Sequence, residues 1–401
     1  MEERYKDIQK IFKHGELIEN SNIQNGEGGA GTFSDGKLYS RVKSDLRETV
    51  LQTLVHFGAN PEILYESHPH IGTDKLRNIL INIRKYLENH GAQIFYDTQI
   101  QKIKPTDKYV EVTDQNQKCY SGDVLVLSPG HSSRQLFQNL NGVVQIESKP
   151  FAVGFRIEFS QSLVNQAQWG FKQGPKYFEN AAAFSFTTQV DGYGIYSFCM
   201  CPGGIALPAT SHAKHQVVNG MSNSTRSSGY ANSGYVIEVQ PGRDYGNGIF
   251  DGIHFQSQIE QAAFNLGKNA YAAPSQRVTS FLEGKVDATL PKGSYPRGLD
   301  PVDLNHLFNK DLTARFKQSL KNFDRIMKGV ISNESILMAT ETRTSSPIRI
   351  PRNEKYQSSH PLIYPAGEGP GYAGGIMSAA IDGINVAKAI AHLDSAGSFA
   401  R

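Results

Sequence analysis

Cysteine is scarce in this chain of 401 residues: only Cys119, Cys199 and Cys201 occur. An odd, sparse set excludes a disulfide framework and points to a reducing compartment. Cys199-Met200-Cys201 lacks C-x-x-C spacing, and with His212 and His215 it makes only a weak Cys/His cluster, so no metal site is expected. The two thiols read as structural or substrate-facing. Long apolar runs are missing too. No stretch approaches the roughly 20 apolar residues of a membrane span, and the Met1–Lys6 start has no signal-peptide core. A soluble, cytoplasmic protein with no membrane partner is expected. Blocks of Lys and Arg are absent, and a net charge of +3 is too mild to argue for nucleic acid.

What is present is globular in composition, 39% hydrophobic and 20% charged, which suits two closely packed domains or one domain with an insertion. Apolar residues at helical spacing predict helices over 5–15, 45–56, 256–266 and 310–329. A strongly amphipathic helix is predicted over 74–90, with Leu76, Ile79, Leu80, Ile83 and Leu87 on one face and Thr73 or Asp74 as its cap. Strands are predicted at Gln93–Phe95, Gln99–Ile103, Tyr109–Thr113, Val153–Phe159, Ala181–Thr188, Gly194–Phe198 and Tyr235–Val239. Asp123–Ser128 is a continuous apolar run, the pattern of a parallel strand buried on both faces. Residues 207–234 read as a long polar loop.

The densest motif lies near the C-terminus. Leu362, Ile363 and Tyr364 lead into a loop holding Gly367, Gly369, Gly371, Gly374 and Gly375, and a small-residue helix begins near Ile376. Strand, glycine loop and helix N-terminus together bring backbone N–H groups to a cofactor in α/β proteins. A second glycine loop runs Gly26-Glu-Gly-Gly-Ala-Gly-Thr-Phe-Ser-Asp-Gly-Lys-Leu38. Three further stretches are His68–Leu76, Phe198–Gly204 with Asn219–Ser222, and Arg343–Arg349. In this order the segments resemble the bacterial FAD-dependent dehydrogenases of the glutathione-reductase-like flavoprotein superfamily, over nearly the whole chain.

The resemblance implies an α/β fold. A FAD/NAD(P)-binding domain would be assembled from 1–150 and 305–401, with an inserted β-rich α+β substrate domain at 151–304. It implies an oxidoreductase that passes a hydride through flavin N5, with FAD as cofactor, a small-molecule substrate, and NAD(P)H as candidate electron donor. It also shows an absence. Family members open with a βαβ unit whose G-x-G-x-x-G holds the FAD pyrophosphate. No such fingerprint occurs here, and the Gly26 loop follows a helical segment, not a strand. The chain reads as family sequence without its first ~100 residues or more. Three readings stay open: a truncated sequence, a unit supplied by a separate chain, and a relative that folds without FAD as a non-enzymatic binding protein. A flavoprotein acting on RNA is a further alternative, which the balanced charge disfavours.

By the same resemblance, Gly28, Gly29, Ser34, Asp35 and Lys37 pass the isoalloxazine ring, with Lys37 placed to stabilise reduced, anionic flavin. Glu368 stands where the superfamily has an Asp that bonds a ribityl hydroxyl. Gly367, Gly374, Gly375 and Ile376 aim a helix N-terminus at flavin N1 and O2. Pro129 and Gly130 fall on the adenine side, where Ile100 offers backbone groups. Arg343, Ser345 and Ser346 form a polar turn that lines the flavin pocket or binds a substrate carboxylate, for which the bidentate Arg fork is suited. His70 is an acid–base or a structural group, and Arg134 a phosphate ligand or a surface ion pair. No residue reads as an obligatory nucleophile.

Overall fold

Alternation along one ten-residue strand sets the largest layer. The computed structural model describes residues 1–39, 42–170, 181–268 and 270–395. Its main sheet has seven strands: β1 (Phe151–Ser160), β2 (Thr187–Val190), β3 (Tyr193–Cys201), β4 (Tyr230–Val239), β5 (Ala273–Arg277), β6 (Leu299–Pro301) and β7 (Ile336–Glu341). Their order is β6-β5-β7-β1-β4-β3-β2. The β5–β6 pair is parallel and the others antiparallel, so the sheet is mixed. β1 and β4 pair along their full length, from Phe151 opposite Val239 to Ser160 opposite Tyr230. Gly154 permits this approach: a Cβ there would stand 2.1 Å from the Tyr235 carbonyl.

The described helices include α1 (Glu2–His14), α2 (Leu46–His56), α3 (Thr73–Asn89), α4 (Asp251–Leu266), α5 (Lys310–Ile326) and α6 (Ile376–Ser395). Val153, Phe155, Ile157 and Phe159 of β1 join a cluster with Leu312, Phe316, Leu320 and Phe323 of α5. Asn309 caps α5 by accepting from the Leu312 N–H at 2.9 Å. Tyr235 donates its hydroxyl to the Phe316 carbonyl at 2.8 Å, so the helix is seated by a hydrogen bond as well as by burial. The alternate β1 residues, Arg156 and Glu158, are equally buried on the opposite face. The sheet uses β7, so it extends past the expected boundary at 304.

Five local expectations change. The strand expected over Ala181–Thr188 is confined to Thr187–Val190. Gln93–Phe95 is not a strand; the flanking ladder is Ile100–Pro105 with Val110–Asp114. Leu125–Leu127 does pair in parallel, with Ile363–Pro365, but this sheet has two strands and Val126 is 45% exposed, so the run is not buried on both faces. Within 207–234 the chain forms a hairpin, Ile205–Pro208 with Val218–Met221, and then enters β4. Neither Thr73 nor Asp74 caps α3. Gly72 holds that position at φ +84°, Thr73 donates to the Thr32 carbonyl at 2.8 Å, and Asp74 accepts from Ser224 N and Oγ, both at 2.7 Å. Both side chains are drawn to distant segments. No helix among the described residues is long and apolar enough to cross a membrane.

Candidate functional site

Arg4 of α1 organises the first glycine loop. Its buried guanidinium donates to the carbonyls of Asn22 and Ile23 at 2.9 Å and of Gly29 at 3.0 Å, and also to that of Glu27. Gly26 and Gly28 sit at φ +124° and +81°, where a side chain would be strained. The pinned loop lays Gly31 on the start of α6, where a Cβ at 31 would be 3.1 Å from Ile376 Cγ1. The C-terminal loop meets the strand end at Pro129-Gly130, and a Cβ on Gly369 would stand 2.7 Å from the Gly130 carbonyl. Ser132 donates to Gln24 at 3.2 Å. Segments 24–34, 129–132 and 367–376 therefore converge.

Around this meeting point the groups differ in availability. Gly374 and Gly375 are exposed, and a Cβ added at Gly29, Gly130, Gly367 or Gly374 would meet nothing within 4 Å. Glu368 Oε1 lies 2.9 Å from Nδ1 of buried His131, yet neither ring nitrogen has a well-aligned hydrogen bond. Ser34 Oγ turns inward, donating to the Gly31 carbonyl at 2.7 Å and accepting from the Gly36 N–H at 3.1 Å. The Gly367 N–H is held by Asp382 at 2.8 Å, and Arg352 grips that carboxylate at 2.5 and 3.0 Å. Sequence reading passed over Arg352 and Asp382 because thirty positions separate them. Ile100 lies apart from these loops' contacts, paired with Asp114 and packed in the Leu127–Ile363 cluster.

Arg343, Ser345 and Ser346 border the same loops. Ser346 donates to the Gly369 carbonyl at 2.7 Å, and Ser345 receives Lys149 Nζ at 3.5 Å. The Arg343 guanidinium grips Glu260 at 2.7 and 3.0 Å and donates to Ser132 at 2.9 Å. Arg134 joins Glu260 at 3.0 and 3.1 Å, in a buried ion pair, neither a surface one nor a free phosphate ligand. Glu260 is fully buried; burial works against its charge, but Arg343 and Arg134 outweigh it and hold the carboxyl at about 2. Burial and the same two arginines push nearby His212 down to about 4, so it is neutral at pH 7.

Lys37 ties the first loop to the main sheet. Its ammonium donates to the Met200 carbonyl and lies 3.9 Å from Asp35. Asp35 is buried and gripped by Arg226 at 3.1 and 2.5 Å. The Lys37 backbone bridges to His70, whose Nε2 meets the Ser224 carbonyl at 3.2 Å. Burial, and then Arg226, lower the His70 pKa and favour the neutral ring. Beyond Met200 lies Arg156, wholly buried, which bonds Asn232 at 2.7 Å, Glu341 at 3.0 Å, the Cys199 carbonyl at 2.8 Å and Cys201 Sγ at 3.3 Å. The signal for Arg156 was available: two charges, 156 and 158, on one face of an apolar strand.

Glu158 carries a pH prediction. Burial pushes its carboxyl up to about 7 although Ser294 donates to it twice. The folded state then holds a proton that the unfolded state, near 4.5, has released, so stability falls as pH rises from about 4.5 to 7. Glu158→Gln is expected to flatten that decline by an amount on the order of 3 kcal/mol, measured as urea unfolding at pH 5 and pH 8. An unchanged slope would refute it.

A family model described as "FAD-dependent protein, C-terminal domain-like" matches residues 150–344. An uncharacterised protein of Clostridium beijerinckii is 40% identical over 397 residues, covering 97% of this chain and 74% of its own length. Among solved structures, CtdE in complex with FAD matches at 8% identity and TM-score 0.30, over 79% of this chain and 60% of that one. A putative FAD-containing monooxygenase from Photorhabdus luminescens matches at 10% and 0.33, over 82% and 65%. NikD, an amino acid oxidase of nikkomycin biosynthesis, matches at 11% and 0.34, over 79% and 56%. The chain spans less than two thirds of each of these three structures, and scores at this level are too low to assign a shared fold.

Proposed function

Because the chain belongs to one family with the uncharacterised Clostridium protein and matches the FAD-dependent C-terminal domain model over 150–344, we propose that it is a FAD-dependent oxidoreductase holding the flavin where the 26–37 and 367–376 loops meet. The observation that carries this reading is the contact of Gly31 with Ile376 beside the Gly130–Gly369 approach. It brings together Gly29, Gly130, Gly367 and Gly374, each with open space where a Cβ would stand. The residues fit the ring and ribityl side of the cofactor. Exposed Gly374 and Gly375 leave the start of α6 uncovered, and His131 brings ring nitrogens without aligned partners. G-x-G-x-x-G spacing occurs at Gly26–Gly31, which follows α1 and not a strand, and at Gly369–Gly374 inside the C-terminal loop itself; neither opens a separate N-terminal βαβ unit.

Bound there, FAD would supply hydride exchange at N5. The protein's part is positional and electrostatic. The backbone at Gly28 and Gly29 would border the ring edge, with the Gly29 N–H already given to the Gly26 carbonyl at 3.1 Å, and the α6 N-terminus favours negative charge at its approach. Lys37, fixed by Met200 and Asp35, keeps a positive charge at the base of the loop. Glu368, 2.9 Å from His131 Nδ1, would accept a hydrogen bond from a ribityl hydroxyl. Pro129, Gly130 and Ile100 serve the adenine side. Arg343, Ser345 and Ser346 shape the wall against a small-molecule substrate, with Arg343 acting through Ser132 because its charge is spent on Glu260. A dehydrogenase role, NAD(P)H as donor and a cytoplasmic setting complete the proposal.

Gly374→Asp tests it. The position has open space and no positive φ, so the fold should tolerate the change, and a carboxylate near a helix N-terminus is favourable. Flavin titration, followed by fluorescence quenching, should show FAD affinity weakened at least tenfold with an unchanged melting temperature. Equal affinity in both proteins would remove the flavin from this opening.

A further inference from the structure

The Cys199-Met200-Cys201 segment sits where β3 departs from regular pairing. Cys201 lies opposite Asn232 and Phe198 opposite Gly234, so three steps of β3 span two steps of β4. This is a bulge, and Cys199 takes φ +46° within it. In an unbroken strand, residues i and i+2 stand ~6.8 Å apart. That is the upper end of the ~4.4–6.8 Å Cα separation a disulfide accepts. The bulge shortens that span and so moves the pair off the upper end and into this window. The Cys201 thiol already reaches back to this segment, donating to the Cys199 carbonyl at 3.3 Å.

Their surroundings differ in a useful way. Cys201 is buried, with Sγ 3.3 Å from an Arg156 guanidinium nitrogen and 3.3 Å from the Cys199 carbonyl. Cys199 is partly open to solvent. The charged groups around the pair are Arg156 of β1, Glu341 of β7, and Lys37 and Asp35 of the first loop, with Arg226 neutralising Asp35. The Cys201 thiol, then Lys37 and Arg156, draw the Cys199 pKa down to about 6 against burial, while the Cys201 pKa is raised by Cys199 and by burial. Negative charge is thus favoured on one sulfur of the pair, and its neighbour is held toward the thiol.

We propose that Cys199 and Cys201 form a redox-active dithiol that reduces small hydroperoxides, with Cys199 as the attacking sulfur and Cys201 as the resolving one. The Cys199 thiolate attacks the peroxide oxygen. An S–O bond forms as the O–O bond breaks, sulfur loses two electrons, and the alkoxide or hydroxide that leaves takes a proton from water. Cys201 then attacks the sulfenic acid. The S–S bond forms, and the hydroxide expelled leaves as water with the Cys201 proton. An external dithiol restores the pair by exchange. The bulge, by shortening the span, lets a C-x-C pair close without moving the strand.

The test uses the whole protein, reduced and then mixed with one equivalent of hydrogen peroxide at pH 7. After alkylation and digestion, the peptide holding both cysteines should be lighter by two hydrogens, with exposed Cys119 still alkylated. In untreated protein, Cys199 alkylation should change less than threefold between pH 7 and pH 9. With Cys201→Ser, a sulfenic acid should be trapped by dimedone at residue 199. If peroxide oxidises Cys119 alone, or the 199–201 peptide keeps its reduced mass, the proposal is overturned; these wild-type readouts stand even if the variant fails to fold.

Discussion

Glu260→Ala is expected to cost about 3–5 kcal/mol of stability, the range for removing one partner of a buried ion pair. Two guanidiniums would be left facing each other, since Arg343 and Arg134 both bond this carboxylate from inside the fold. Thr342 would lose its acceptor as well, at 2.8 Å. The pH dependence has a definite sign. With a folded pKa of about 2 against 4.5 unfolded, the carboxylate's contribution is complete above 4.5 and is lost as pH falls toward 2. Urea unfolding at pH 7 measures the loss, and a cost below about 1 kcal/mol would show that the cluster is not holding α4 to the 342–344 turn.

The second large effect belongs to the other face of the sheet. Arg156→Leu should cost a similar amount, about 3–5 kcal/mol, because Glu341 and Asn232 would lose their bonding partner inside the fold. Burial already pushes Glu341 up to about 7 with Arg156 pulling the other way. The double variant Arg156→Leu/Glu341→Leu should therefore recover much of the loss, since an apolar pair leaves no isolated charge. A double variant less stable than Arg156→Leu alone would mean that Asn232, Asn219 and the Cys199 carbonyl, not the ion pair, carry the arginine's contribution.

Periodic segments were legible and long-range ties were not. The apolar face of α3 and the alternation of β1 are written in consecutive residues, so helix and strand could be read directly. Residues 205–221 mix small, polar and apolar residues with weak alternation, and become a hairpin because each strand finds the other. Gln93–Phe95 shows the converse, with suitable residues and no ladder partner. At the site, the glycine loops were visible as composition. Their convergence depends on Arg4, Thr73 and Asp382, whose partners lie 15 to 41 positions away and leave no local pattern. Arg343 was visible as a charge in a turn, but only the fold shows that Glu260 has claimed it.

The meeting of Gly31 with Ile376 joins residues near opposite ends of the described chain. Contacts of such separation close late, since the ordering of everything between them comes first. The opening they frame cannot exist in a nascent chain until α6 has been made. A flavin bound there would stabilise only the fully closed form, so its retention would report completed folding of the whole chain, and the earliest sign of unfolding would be release of the cofactor rather than loss of the central sheet.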